Sequence, residues 1–468
     1  MLIRFFLFFS LFITLSCRDR IPKKQVNKNT SKKEVKYITP SLKIYIEDGG
    51  SMEGFFKDPN FDFSSDLSTL FSQLTTTSKQ LNLISNSNIL NLTSSGGLDF
   101  SKYLSNLNAF DRNLDESSFE TMFDSVIYKS KRNTVTAFVS DFIQSSNDLT
   151  NPIAGDYISN LLSKKIQGNK NFSVCVLKMK SRFQGKFYYV SANRKNILPN
   201  PDSIDQIKPY YIWFFGDNEM IEKLNLNQKS IKMFNLAGFE DFSIYNEKKY
   251  GDNDKPINWT VLQFTNSIGT FKPARNRKTI EGVHDIENVK PVRETNEFQI
   301  CIGIDLSSIP VSDEYKLDAN NYKIESNGFK IERICILNGD NYDFNGKAKI
   351  DSKDLNLLSK VKPTHLLFLK SNEKIVDNLE ISLRRNISPI LLQSNSDDES
   401  NLKNLKTYGF QNFTEAIKKS FPHYNENSFY FTKKISIENK KGGFSWLMTL
   451  LVIVFIGVII SIIIKNKK

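Results

Sequence analysis

Three histidines and four cysteines are all that 468 residues contain, and this scarcity removes whole classes of chemistry. His284, His365 and His423 lie far apart, so neighbouring positions offer no HExxH zinc helix, no His–Cys metal cluster and no Ser-His-Asp arrangement. No Gly-x-x-x-x-Gly-Lys stretch is present to cradle a phosphate, and no internal repeat marks a solenoid or propeller. Beyond Cys17, the cysteines sit singly in apolar runs ("FSVCVLK", "FQICIGI", "IERICILNG"), where a thiol behaves as a small hydrophobe. A Cys301–Cys335 bridge stays open for an exported domain, but it leaves one thiol over and follows no disulfide framework.

The balance of charge is also less informative than its size. The net charge is +12, which in a folded domain would suggest nucleic acid. Residues 18–36 carry eight Lys or Arg against Asp19 and Glu34, and Lys465, Lys467, Lys468 and Arg4 supply most of the remainder. The basic balance therefore belongs to the two ends. It suits anionic lipid headgroups, and no nucleic-acid partner is expected.

Both ends read as membrane signals. Arg4 followed by the apolar run Phe5 to Leu15 reads as an export signal over 1–17. "TLSC" resembles a bacterial lipobox, with Thr14 at a position usually aliphatic, and implies lipidation at Cys17. Residues 18–38 read as a flexible basic tether. The run "FSWLMTLLVIVFIGVIISIII", 444–464, has no charge and is long enough for a transmembrane helix at ~1.5 Å per residue, followed by a cytoplasmic tail at 465–468. The expected location is a bacterial cell membrane, the inner one because outer-membrane spans are barrels, with 18 to about 440 outside the cytoplasm.

Between these ends, apolar strands alternate with amphipathic helices up to about 235. Strands are expected at 41–47, 87–94, 134–141, 171–180, 186–192 and 210–217, and helices near 64–80, 118–130, 156–166 and 218–224. Unbroken apolar strands between such helices predict a doubly wound, mainly parallel α/β sheet over 39–235. From 240 to 440 short strands separated by Asn, Gly, Asp and Pro predict β-rich modules of sandwich type, with one helix near 412–421. In "NGDNYDFNGKAKIDSKD", 338–354, the spacing of Asn341, Asp343, Asn345 and Gly346 resembles a calcium loop, but Ser352 replaces the bidentate Glu and a hairpin turn is the simpler reading.

The stretch with the most chemistry is "IEDGGSMEGF", 46–55, where the first strand ends in acids, glycines, a serine and a methionine. A second acid, Asp141, ends the strand "TAFVSD". Ligands of open α/β sheets gather outside such strand ends, and carboxylates with hydroxyls suit a hard cation such as Mg²⁺. These residues resemble the metal-ion-dependent adhesion site of the von Willebrand factor A domain, which has Asp-x-Ser-x-Ser after the first strand, a helix-start Thr and a later Asp. Anchored on Ser51 and Met52, the resemblance places the first acid at Glu47, with Asp48 a spare acid one position on and Gly49 where a hydroxyl is expected. It places the helix-start hydroxyl at Ser117 or Ser118 and the last acid at Asp141, with Phe142 where the family has glycine. The resemblance implies a protein-interaction module whose partner's carboxylate completes a bound Mg²⁺.

Plainer readings stand beside it. Ser117 and Glu120 form a capping-box pattern, Gly49 and Gly50 suit a turn with positive φ, and Asp141 suits a loop or cap. Two further functions stay open: a metal-assisted hydrolase built on the same acids, and a metal-independent envelope scaffold.

Overall fold

The computed structural model describes residues 38–58, 60–93, 118–143, 153–186, 203–251, 256–274, 282–326, 328–342, 348–373, 378–396 and 406–438, together with 454, 456 and 457. Cys17, the tether and Ser117 fall outside these residues, as do nearly all of 444–464 and most of the expected strand at 186–192. Among the described residues no helix is long and apolar enough to cross a membrane.

Alternation along the strands sets up two apolar faces. Strands β1 (Ser41–Glu47), β2 (Ser78–Ser85), β3 (Asn88–Asn91), β4 (Thr134–Ser140), β5 (Phe172–Lys186), β6 (Ser203–Asp217) and β7 (Phe239–Tyr245) form one sheet in the order β3-β2-β1-β4-β6-β5-β7. Leu42, Ile44 and Ile46 of β1 and Val135, Ala137 and Val139 of β4 point to one face. There they meet Phe63, Leu67, Leu70 and Phe71 of α1 (Asp62–Gln73), Ile221 of α4 (Asn218–Lys223) and Ile231 of α5 (Gln228–Phe234). Tyr45, Phe138, Trp213 and Phe215 point to the other face, toward α2 (Phe119–Tyr128) and α3 (Ile153–Gly168).

β2-β1-β4 is the parallel core of this sheet, in the register Ile46↔Leu83 and Ile46↔Val139. The other four pairings, β2–β3, β4–β6, β5–β6 and β5–β7, are antiparallel, so the sheet is mixed. The helix expected at 64–80 stops at Gln73, and β2 takes residues 78–85, where Leu81 and Leu83 continue the apolar face. β5 and β6 pair from Phe172↔Asp217 to Lys186↔Ser203. Their neighbours end earlier, β7 at Met179 and β4 at Ser140↔Tyr211. The remainder, 180–186 with 203–209, is therefore a two-stranded arm that rises past the carboxyl ends of β1 and β4.

The second half is built from short strands, as its sequence texture predicts. β8 (Trp259–Leu262), β11 (Phe298–Ile304), β13 (Phe329–Ile336) and β14 (His365–Ser371) make a four-stranded sheet; β9 (Thr270–Pro273), β10 (Asp285–Lys290), β12 (Tyr322–Glu325), β15 (Leu379–Arg385) and β18 (Asn425–Glu438) make a five-stranded one. Short α6 (Asp313–Leu317), α7 (Leu355–Val361) and α8 (Pro389–Leu392), the paired strands β16 (Asn395–Ser396) and β17 (Thr407–Tyr408), and α9 (Gln411–Ser420) complete it. Ile300, Ile302, Leu367, Leu369, Ile381, Leu383 and Ile435 bury the inner faces of both sheets in one core. The outer face of the four-stranded sheet, with Cys301, Leu366 and Phe368, is covered by Leu358 of α7 and Ile350. None of Cys175, Cys301 and Cys335 is disulfide-bonded. Residues 343–347 of the calcium-loop-like stretch fall outside the described residues.

α9 does not stay with the sandwich. Its Phe413, Ala416 and Ile417 join Phe119, Phe123, Ile158 and Trp213 on the second face of the seven-stranded sheet, and the described residues between 39 and 438 belong to one compact unit. Arg385 ties the halves together at β7. Its guanidinium is buried over the rings of Tyr424, Tyr250 and Tyr430 at 4.5, 5.5 and 5.7 Å, and it donates to the carbonyl of Asn246 and to Tyr424 Oη.

His365 gives the fold a pH dependence. It is buried at the start of β14, 4.0 Å from Asp313, and burial, followed by the Lys316 ammonium, pushes its pKa from 6.5 down to about 4. In that window the unfolded chain binds a proton that the folded chain refuses, so stability is whole above pH 6.5 and drains as pH falls to 4. The loss amounts to about 3 kcal/mol. His365→Gln should flatten this limb in denaturant unfolding of the full chain; an unchanged limb would assign the acid sensitivity to another group.

Candidate functional site

Parallel pairing places the tips of β1 and β4 side by side, which is what brings distant acids together. Ser51, in the 3-10 turn Gly50–Phe55 after β1, donates its hydroxyl to Asp141 Oδ1 at 3.3 Å. Ser140 donates to Glu47 Oε2 at 2.5 Å. The Asp48 N–H bonds the Ile84 carbonyl of β2 at 2.8 Å, so Asp48 sits on the same rim. Glu47, Asp48 and Asp141 are all buried. Ser118 is the cap residue of α2 but makes no side-chain capping bond; its N–H donates to Asn86 Oδ1 in the β2–β3 turn, and no hydrogen bond joins it to Asp141 among the described residues.

Two local backbone features shape this rim. Gly49 is extended, at φ −90° and ψ 162°, and Gly50 opens the 3-10 turn, so the positive φ expected for this pair is not used. The left-handed residue is instead Phe142, at φ 59°, where the resembled family has glycine. A bulky residue there costs about 1–2 kcal/mol. Its ring offsets that strain by packing against Trp213 at 5.1 Å, Phe413 at 4.8 Å and Tyr211 at 5.5 Å. The turn folds Asp141 back so that Oδ1 also accepts from the Ile143 N–H at 3.0 Å, while the Met52 sulfur faces the Asp141 N–H at 3.2 Å.

The other contributors come from segments distant in sequence. Thr407, from β17, donates to the Asp141 carbonyl at 3.3 Å and meets Tyr211 Oη at 3.2 Å. The β5–β6 arm brings Phe183 and Lys208. With Phe55, Ile143 and Thr407 these residues line a cleft over Asp141 of about 10 Å³, room for roughly one water. No local signal pointed to Thr407 or Lys208, because the ladders that bring them here are long-range. Asp141 Oδ2 is buried without a hydrogen-bond partner. Burial foremost pushes this carboxyl up to about 6, against the Ile143 N–H, the Ser51 hydroxyl and the Lys208 charge, which lower it.

Matched against family models, curated proteins and solved structures, the chain finds no counterpart. The site therefore stands on its own geometry. The Asp141 oxygen without a partner and the Ser51 hydroxyl would suit a cation. The remaining set does not suit Mg²⁺: Gly49 offers no hydroxyl, Glu47 is engaged by Ser140, and a lysine charge already acts on Asp141. Among the described residues no three His, Cys, Asp or Glu side chains converge as metal ligands.

Gly54 has a steric role here. A Cβ on it would lie 2.5 Å from the buried Phe183 ring, which is backed by Phe55 at 5.1 Å. Gly54→Ala should cost about 1–3 kcal/mol in denaturant unfolding of the full chain, with part recovered by adding Phe183→Leu. A neutral Gly54→Ala would show that the arm does not close on the turn.

Proposed function

We propose that the chain is an exported, membrane-anchored protein-interaction module of the cell envelope, resembling a von Willebrand factor A domain and docking its protein partner at the β1–β4 rim without catalysis. The hydrogen bond from Ser51 to Asp141 at the carboxyl ends of two adjacent parallel strands is the observation that carries this reading. It joins, across ninety positions of sequence, the two motifs on which the resemblance rests. The export-like start, the lipobox-like Cys17 and the apolar run 444–464 support anchoring at the membrane. Docking is metal-independent in this reading, since the donor set at the rim is incomplete for Mg²⁺. The hydrolase alternative gains no support: the described histidines lie in other parts of the fold, on β14, beside β8 and beside Glu247.

The test is site-specific photo-crosslinking in intact cells. A crosslinker at exposed Ile207 on the arm, or at Lys406 beside the cleft, should give protein adducts of defined size that persist in EDTA. One at exposed Arg132, at the amino end of β4, should not. Adducts from position 132 alone, or none from the rim, would refute docking there.

A further inference from the structure

We propose that the buried Asp241 carboxylate holds one monovalent cation, Na⁺ or K⁺, within a shell of hydroxyl oxygens where β7 meets the second half of the chain. The inference is independent of docking at the β1–β4 rim. β7 is the edge strand of the seven-stranded sheet, and residues 310–312 run along its outer side. Ser243 bridges Val311 in antiparallel register, and the Ile244 N–H donates to the Pro310 carbonyl at 2.9 Å. That register sets Ser312 beside Phe242 and Asp241. Phe242 and Ile244 belong to the core on the α1 face, so alternation turns Asp241, Ser243 and Tyr245 the other way. Ser388 arrives from the residue before α8 and acts, with Ser312, on the same carboxylate.

These oxygens are enclosed and yet poorly served. Asp241 and Ser312 have no exposed surface, and Ser243, Tyr245 and Ser388 are each 1 % exposed. Neither Asp241 oxygen accepts a hydrogen bond, and Ser243 Oγ, Ser388 Oγ and Tyr245 Oη make none. Ser388 precedes α8 without capping it, so its hydroxyl has no local duty there. Ser312 Oγ accepts the Tyr315 N–H at 3.3 Å and keeps a second lone pair. No side chain supplies the counter-charge: Lys178, the cross-strand neighbour of Asp241 on β5, pairs with Glu240 at 3.1 Å. The charge that does act on Asp241, the Glu314 carboxylate, has the same sign.

A buried carboxylate is relieved by a proton or by a cation. Burial foremost pushes the Asp241 carboxyl up, while the Ser388 and Ser312 hydroxyls and the Phe242 N–H favour the anion. A proton would serve one oxygen and leave the hydroxyls of Ser243, Ser388 and Tyr245 as they are. A small cation neutralises the acid and takes those oxygens as ligands in the same step. One carboxylate balances one charge, whereas a divalent ion would leave a closed, low-dielectric site positive. The ion would tie β7 to the segments before α6 and α8.

The full chain in non-ionic detergent is unfolded by urea in NaCl, KCl and choline chloride at equal ionic strength, as wild type, Asp241→Asn and Ser388→Ala. The wild-type midpoint should be higher in NaCl or KCl than in choline chloride, whose cation is too large for the site, and should saturate as the small cation is raised. The salt that raises it identifies the ion. Ser388→Ala should need several-fold more cation for the same rise, and Asp241→Asn should unfold at one midpoint in all three salts. A wild-type midpoint indifferent to the three salts would overturn the proposal and assign Asp241 a proton, and a salt dependence that survives in Asp241→Asn would overturn it equally. If Asp241→Asn fails to fold, Ser388→Ala decides: a raised half-saturating concentration supports the site, and an unchanged one counts against it.

Discussion

A carboxylate that ends an inner strand must be held away from water without being left bare, and the turn at Asp141 meets this constraint by recruiting from the whole chain. The left-handed backbone at Phe142 bends the acid back toward Ser51 and the Ile143 N–H. That conformation is unfavourable for a phenylalanine, and it persists because the ring is enclosed by Trp213, Tyr211, Phe410 and Phe413. Two of those rings come from the segment around α9. The geometry of the rim thus depends on packing supplied from 270 positions downstream, well beyond the sheet that carries the acid.

This dependence explains why the two halves are not independent beads. The sandwich buries its own inner faces, yet its last helix leaves to cover α3 and the first sheet, and Arg385 is caged by tyrosines against the end of β7. A buried guanidinium among rings and carbonyls fixes orientation as well as contact, since its donors are directional. The rim, the arm and the Thr407 strand are held in one body by these links. The site is accordingly small, a cleft of about 10 Å³ between the 3-10 turn, the arm and the Thr407 strand.

Much of the fold was legible in the chain itself. The unbroken apolar run around Trp213 marked a strand covered on both faces, and Phe119, Met122, Phe123, Val126 and Ile127 marked the buried side of α2. The helix near 412–421 appears almost where periodicity put it. β2 was hidden because "SKQLNLIS" mixes lysine, glutamine and asparagine into a strand whose apolar positions also suit a helix, and only pairing with β1 selects the extended form. The direction of β5, β6 and β7 was equally out of reach, since a strand covered on both faces reads the same whether its neighbour runs parallel or antiparallel.

At the site, the chain alone marked Glu47, Asp48, Ser51 and Asp141, because acids and hydroxyls at strand ends depart from the apolar pattern around them. Local physical chemistry, the period of burial and the flexibility of a polar tip, was enough for that. Which groups face one another was decided by tertiary structure: the antiparallel β5–β6 ladder brings Lys208 to the cleft that Asp141 lines, and Thr407 bonds the Asp141 carbonyl from β17, just before the last helix. Hydrogen bonding and steric closure act through space between residues far apart in sequence, and only the folded chain determines those distances.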